Sequence, residues 1–92
     1  MPRFLIEVPH EPAPLPCALA VEVFLTTGSH FFTHADWGCR DGVHKAWIIV
    51  EVDTRDEAIC IVPPAFRSQA KVVQLNAFTQ EEIGEFIRQY KP

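Results

Sequence analysis

Residues Phe31 to Asp53, FFTHADWGCRDGVHKAWIIVEVD, read as a β-hairpin, and that reading decides the fold. Asp41-Gly42 is a two-residue turn signal, because such turns need a positive φ that Gly and Asp tolerate. A turn there pairs Arg40 with Val43, Cys39 with His44, and Trp37 with Ala46. Side chains alternate between faces along a strand, and opposed residues share a face. Cys39 and His44 therefore fall together, in line with Ala46, Ile48, Val50 and Val52. His34, Asp36, Lys45, Trp47, Ile49 and Glu51 take the other face.

Working outward, Arg3 to Val8 alternates, with Phe4, Ile6 and Val8 on one side and Leu5 and Glu7 on the other. That pattern predicts a half-buried strand. Prolines at 9, 12, 14 and 16 follow, a stiff segment that cannot pair in a sheet and reads as a crossover loop or a lid. Cys17 to about Gly28 is expected to be helical, with Leu19 and Val23, joined by Val21 and Phe24, near one stripe and Pro16 in the first turn. Gly28 is its expected stop, and His30 a loop or helix-end residue. Beyond the hairpin, Asp53 or Thr54 caps a second helix whose first turn is acidic. Cys60, between Ile59 and Ile61, reads as core. Pro63-Pro64 ends that helix, with a further helical turn over Ala65 to Gln69, and Lys71 to Leu75 is a short last strand. Thr79 and Glu82 then form a capping box before a final helix with Ile83, Phe86, Ile87 and Tyr90 on one stripe.

The order β-α-β-β-α-β plus a C-terminal helix predicts an α+β, ferredoxin-like fold. Right-handed crossovers give a four-stranded antiparallel sheet with helices on one face, in a single domain spanning 1–92. The opposite face carries Leu5, Trp47 and Ile49. Its apolar character predicts a homodimer that packs sheet on sheet.

Composition limits the function. At 92 residues and a net charge of −4, the chain holds no basic patch for nucleic acid. It has no apolar run near the roughly 20 residues a membrane helix needs, and its N-terminal MPRFLIEV reads as a strand rather than a signal peptide. Three cysteines at 17, 39 and 60 do not make a disulfide framework, which points to a reducing, cytoplasmic setting. No P-loop, dinucleotide fingerprint, nucleophile elbow or paired CxxC occurs, so no nucleotide cofactor is expected.

The length, the element order and the DTRDEA…PP segment resemble the small dimeric α+β-barrel proteins, the group that includes muconolactone isomerase. The opening Met-Pro-Arg-Phe also resembles small ferredoxin-like proteins of uncharacterised or nickel-binding type. The first resemblance covers most of the chain as architecture, the second rests on about eight residues, and neither carries a catalytic residue onto this chain.

The topology gathers residues that the linear sequence scatters. The first strand's end, the first helix's start and both arms of the hairpin turn meet at one end of the sheet. His10, Cys17, Cys39 and His44 are expected to converge there, with His10 following the parity of Phe4, Ile6 and Val8. Two thiolates and two imidazoles suit tetrahedral zinc, and a similar set suits copper or nickel. A helix N-terminus favours the thiolate, so Cys17 also fits nucleophilic chemistry. The plain alternative is that these residues only pack. Trp37 and Arg67 are the candidates for holding a small ligand at the same end, one as an aromatic wall and one as an anion partner. On the other face, Glu7, His34, Asp36 and Lys45 make a second polar group, fit for proton transfer or for an interface. Three functional readings follow. They are a metal- or small-ligand-binding dimer, a cofactor-independent isomerase or monooxygenase with a histidine as proton carrier, and a dimerisation module without chemistry.

Overall fold

Four strands form the antiparallel sheet: β1 (Arg3–Pro9), β2 (Asp36–Trp37), β3 (Lys45–Glu51) and β4 (Lys71–Leu75). The computed structural model describes residues 1–26 and 34–90. The expected helix stop at Gly28, His30, and the start of the hairpin at Phe31 lie outside the described residues. The strand order is β2-β3-β1-β4, with β1 between two antiparallel neighbours. β1 meets β3 from Arg3↔Glu51 to Pro9↔Lys45, and it meets β4 from Arg3↔Leu75 to Glu7↔Lys71.

Alternation along these strands divides the sheet as its pattern predicts. Phe4, Ile6, Val8, Ala46, Ile48 and Val50 are buried on one face, where helices cover them. Leu5, Glu7, Trp47 and Ile49 take the other. The helices are α1 (Pro14–Thr26), α2 (Arg55–Ile61), the single-turn α3 (Pro64–Arg67) and α4 (Gln80–Tyr90). Phe24 of α1 is almost fully buried and packs edge-on against Trp37 and Phe66, at ring-centroid distances of 4.9 and 5.6 Å. Ala58 and Val62 close the core from the α2 side, and no polar residue among those described is buried.

The proline segment departs from its expected extended form, and the reason is where the N–H groups point. Pro9 lies inside β1, opposite Lys45. The neighbouring His10 N–H donates to the His44 carbonyl at 3.1 Å, toward β3. Successive N–H groups point to opposite edges of a strand, so Pro9 lacks only the one aimed at the β4 side, where β4 has already ended. Pro14 and Pro16 fall in the first turn of α1, whose N–H groups have no intrahelical partner in any case. The helix therefore begins three residues earlier than expected. Its buried positions are Ala20 and Phe24, whereas Leu19 is exposed. α1 is apolar nearly all round, so periodicity alone selects its buried side poorly.

Local capping chemistry holds as expected in the second half. Thr54 Oγ1 accepts from the Glu57 N–H at 3.1 Å, and the Glu57 carboxylate in turn accepts from the Asp53 N–H at 3.2 Å. Thr79 Oγ1 accepts from the Glu82 N–H at 3.1 Å at the start of α4. Cys60 is corrected: it is exposed, and Ala58 takes the fully buried position of α2.

Candidate metal centre

The hairpin turn is wider than a two-residue turn. Trp37 pairs with Ala46 and Asp36 with Trp47, in the expected register, but β2 ends there. The Gly38 carbonyl accepts from both the Asp41 and the Val43 N–H groups, each at 3.0 Å, and Cys39–Asp41 winds into a 3₁₀ turn. Gly42 then adopts a φ of 79°, the left-handed conformation expected at this point. Gly38 permits the pinch. A Cβ there would lie 2.7 Å from the Val43 carbonyl oxygen and 2.8 Å from the Trp47 ring. The Arg40–Val43 and Cys39–His44 strand pairs are thus replaced by a looped turn, in which Gly38 allows the close approach and Gly42 supplies the left-handed residue.

Cys39 and His44 nonetheless come together. On the helix-covered face, Val8, Ala46 and Trp37 form one row across three strands. Beyond it lie His10 and His44, since their backbone bond extends the β1–β3 register by one step, and the 3₁₀ turn brings Cys39 against His10. Cys17, fourth residue of α1, closes the group from the helix layer, with its N–H bonded to the Ala13 carbonyl. One ligand atom from each of His10, Cys17, Cys39 and His44 lies within 4.8 Å of all the others. The four residues come from four separate segments, and the group can hold a metal ion.

The internal geometry is close-set. Cys39 Sγ lies 3.1 Å from His10 Nε2. The His10 and His44 rings stand edge to face at 5.6 Å, and His10 also tilts against Trp37 at 5.7 Å. Nδ1 of His10 and Nδ1 of His44 are both buried without a hydrogen-bond partner. Buried polar atoms are otherwise nearly always satisfied, so two orphans in one group call for a ligand, ion or water. Tetrahedral bonds of 2.0–2.3 Å place ligand atoms about 3.3–3.8 Å apart, so a contraction of about 1 Å at the widest pair would suit zinc.

The electrostatics fit a group that lacks only a positive charge. Burial pushes the Cys39 thiol up to about 11, assisted by its hydrogen bond and charge interaction with Cys17. Burial likewise holds His10 below its ordinary value, with His44 beside it adding to the effect. At neutral pH His10 is therefore an uncharged imidazole with a free lone pair. A bound cation would reverse the pressure on Cys39, since thiols that ligate metal are deprotonated.

Two clefts flank the group. One of about 420 Å³ is lined by Pro12, Ala13, Pro14, Cys17, Cys39, Arg40 and His44. Another, about 520 Å³, reaches Cys17 and Cys39 past Trp37, Val21 and Asp36. Trp37 therefore borders the group on its inner side. Arg67 is engaged elsewhere, its Nε and Nη2 donating to the Val62 carbonyl at 3.1 and 2.9 Å and its Nη2 also to that of Cys60 at 3.2 Å. Arg40, which lines both clefts, was not singled out by the sequence reading, because an exposed turn arginine carries no pattern of its own.

On the outer face, the Trp47 indole donates to Glu7 Oε1 at 3.1 Å and Lys45 Nζ lies 3.6 Å from Glu7 Oε2. The Trp47 hydrogen bond, and then Lys45, keep the Glu7 carboxyl below its usual range against the opposing pull of desolvation. His34 and Asp36 are exposed. Comparison with family models, with curated proteins and with solved structures finds no match to this chain.

Proposed function

We propose that the chain is a metal-binding protein whose Cys17, Cys39, His10 and His44 hold one zinc ion. The observation that carries this reading is the convergence of two thiols and two imidazoles within 4.8 Å, from four segments. Four protein ligands leave no open position, which is the pattern of a zinc that organises structure rather than one that activates water. The ion would tie the first turn of α1 to the ends of β1 and β3 and to the turn after β2. Copper and nickel are the competing ions for a sulfur–nitrogen set. Thiolate ligation suits a reducing, cytoplasmic setting. No helix among the described residues is long and apolar enough to cross a membrane.

The same proposal extends to architecture and assembly. The order β4-β1-β3-β2 with helices on one face supports the ferredoxin-like reading, and the apolar outer face supports a homodimer. A second functional reading has the clefts beside His44 admit a small molecule, with a histidine as proton carrier. Their volumes, about 420 and 520 Å³, are of small-ligand size.

Elemental analysis of untagged protein, purified without chelator under reducing conditions, tests the metal reading. It predicts about one zinc per chain, lost in His44→Ala and in Cys39→Ser but kept in His34→Ala. A protein that carries no metal and takes none up on titration would refute it.

A further inference from the structure

An eleven-residue helix is marginal in water unless one face packs against something. α4 has the sequence of a packed helix, yet none of its residues is buried. Phe86 is 58% exposed and Tyr90 75%, and Phe78, Ile83 and Ile87 also face solvent. The chain measures 57 × 29 × 21 Å with a radius of gyration of 16.8 Å, against about 12 Å for a compact chain of this length. A helix with a complete apolar stripe stands off the body.

The body offers a matching surface. Across the outer face, Ile49, Leu5 and Val73 form an apolar row, flanked by Trp47 and Leu75. Ile49 is 57% exposed. On this face Arg3, Lys45 and Lys71 are offset by Glu7 and Glu51, and on α4 Glu85 is paired with Arg88, so apolar area rather than charge carries the match. A helix of eleven residues is about 16 Å long, within the span of a seven-residue strand.

We infer that α4 of one copy lies on the outer sheet face of a second copy, each giving its helix to the other. This rests on the homodimer proposed above and names the segment that builds it. The contact is self-complementary: helix meets sheet twice about one two-fold axis. Three aromatics at this exposure contribute on the order of 400 Å², and the sheet they cover contributes a similar area. That gives about 800 Å² per partner, the size of a stable interface.

Sedimentation of the full chain, with Phe86→Lys and Ile49→Glu, tests the exchange. The wild type is expected to be a dimer at micromolar concentration, and each variant to weaken Kd by about 30-fold or more. Both changed positions are exposed, so the monomers should keep their circular dichroism. Mixing the two variants is the decisive step. Neither homodimer keeps an intact helix–face contact, but the mixed pair keeps one, so association should return on mixing. A dimer broken by Ile49→Glu but not by Phe86→Lys would be sheet on sheet, which overturns the exchange and leaves the homodimer standing. A dimer broken by Phe86→Lys alone would be helix on helix and would also overturn it. A wild type that stays monomeric at high concentration, with slowly exchanging amides in α4, would place the helix on its own sheet and refute both.

Discussion

The Cys/His group and α4 are opposites. α4 carries every local signal of a packed helix, a capping residue, an acidic first turn and an apolar stripe, and none of its residues is buried in its own chain. The Cys/His group has no recognisable spacing, yet four segments bring its ligand atoms within 4.8 Å. Local pattern determines what an element is, while register and topology determine what it touches. Where the two disagree, as in α4, the missing contact is sought outside the chain.

The largest expected effect sharpens that contrast directly. Phe24→Ala removes an almost fully buried ring and should cost about 3–5 kcal/mol in denaturant unfolding. Phe86→Ala, measured at dilutions where the chain is monomeric, should change stability by less than about 0.5 kcal/mol. Similar losses at both sites would mean that α4 packs within its own chain.

Zinc comes next. At a free concentration a hundredfold above its Kd, it should stabilise the fold by about 2.7 kcal/mol, an effect absent in Cys39→Ser and His44→Ala. Cys39, with its thiol pushed up to about 11, is protonated at neutral pH. Binding at pH 7.5 should therefore release at least its proton, visible by calorimetry in buffers of different ionisation enthalpy. The sign of the apo protein's alkaline response follows as well. The folded state keeps the Cys39 proton above the thiol's ordinary value, so this contribution to stability is lost as pH rises toward about 11. Absence of proton release on zinc uptake would place the metal elsewhere.

Gly38→Ala probes the turn that delivers Cys39. Its Cβ would press on the Val43 carbonyl and the Trp47 ring, at an expected cost of about 1–3 kcal/mol together with weaker zinc binding. Stability loss without any change in zinc affinity would show that the turn does not position the thiol. The smallest effect belongs to the outer face. Glu7 titrates below its ordinary range when folded, so its contribution is present above that range and is lost as pH falls through the folded value. Glu7→Gln should flatten this acid limb and cost no more than about 0.3 kcal/mol at neutral pH. An unchanged acid limb would assign it to other carboxylates.

How much of this was legible in the sequence varies by residue. Alternation placed Phe4, Ile6, Val8, Ala46, Ile48 and Val50 on the covered face, because strand geometry allows a period-two pattern only two faces. The approach of His10, Cys17, Cys39 and His44 followed from topology, since the strand ends and the helix start meet at one end of the sheet. What escaped was set by close approach and by neighbours rather than by type. Gly38 permits the turn by its close approach to the Val43 carbonyl and the Trp47 indole, which no turn motif announces. α1 buries Ala20 rather than Leu19 because a helix apolar on every side takes its orientation from its surroundings. Cys60 is exposed although flanked by isoleucines, because α2 buries one stripe and Ala58 and Val62, four residues apart, occupy it.

X-ray absorption at the zinc edge, on protein loaded with one equivalent, tests the central claim most directly. The account predicts two sulfur ligands at about 2.3 Å and two nitrogen ligands at about 2.0–2.1 Å, and no bound zinc in Cys39→Ser. A zinc surrounded only by nitrogen and oxygen, or one whose spectrum is unchanged in Cys39→Ser, would contradict it.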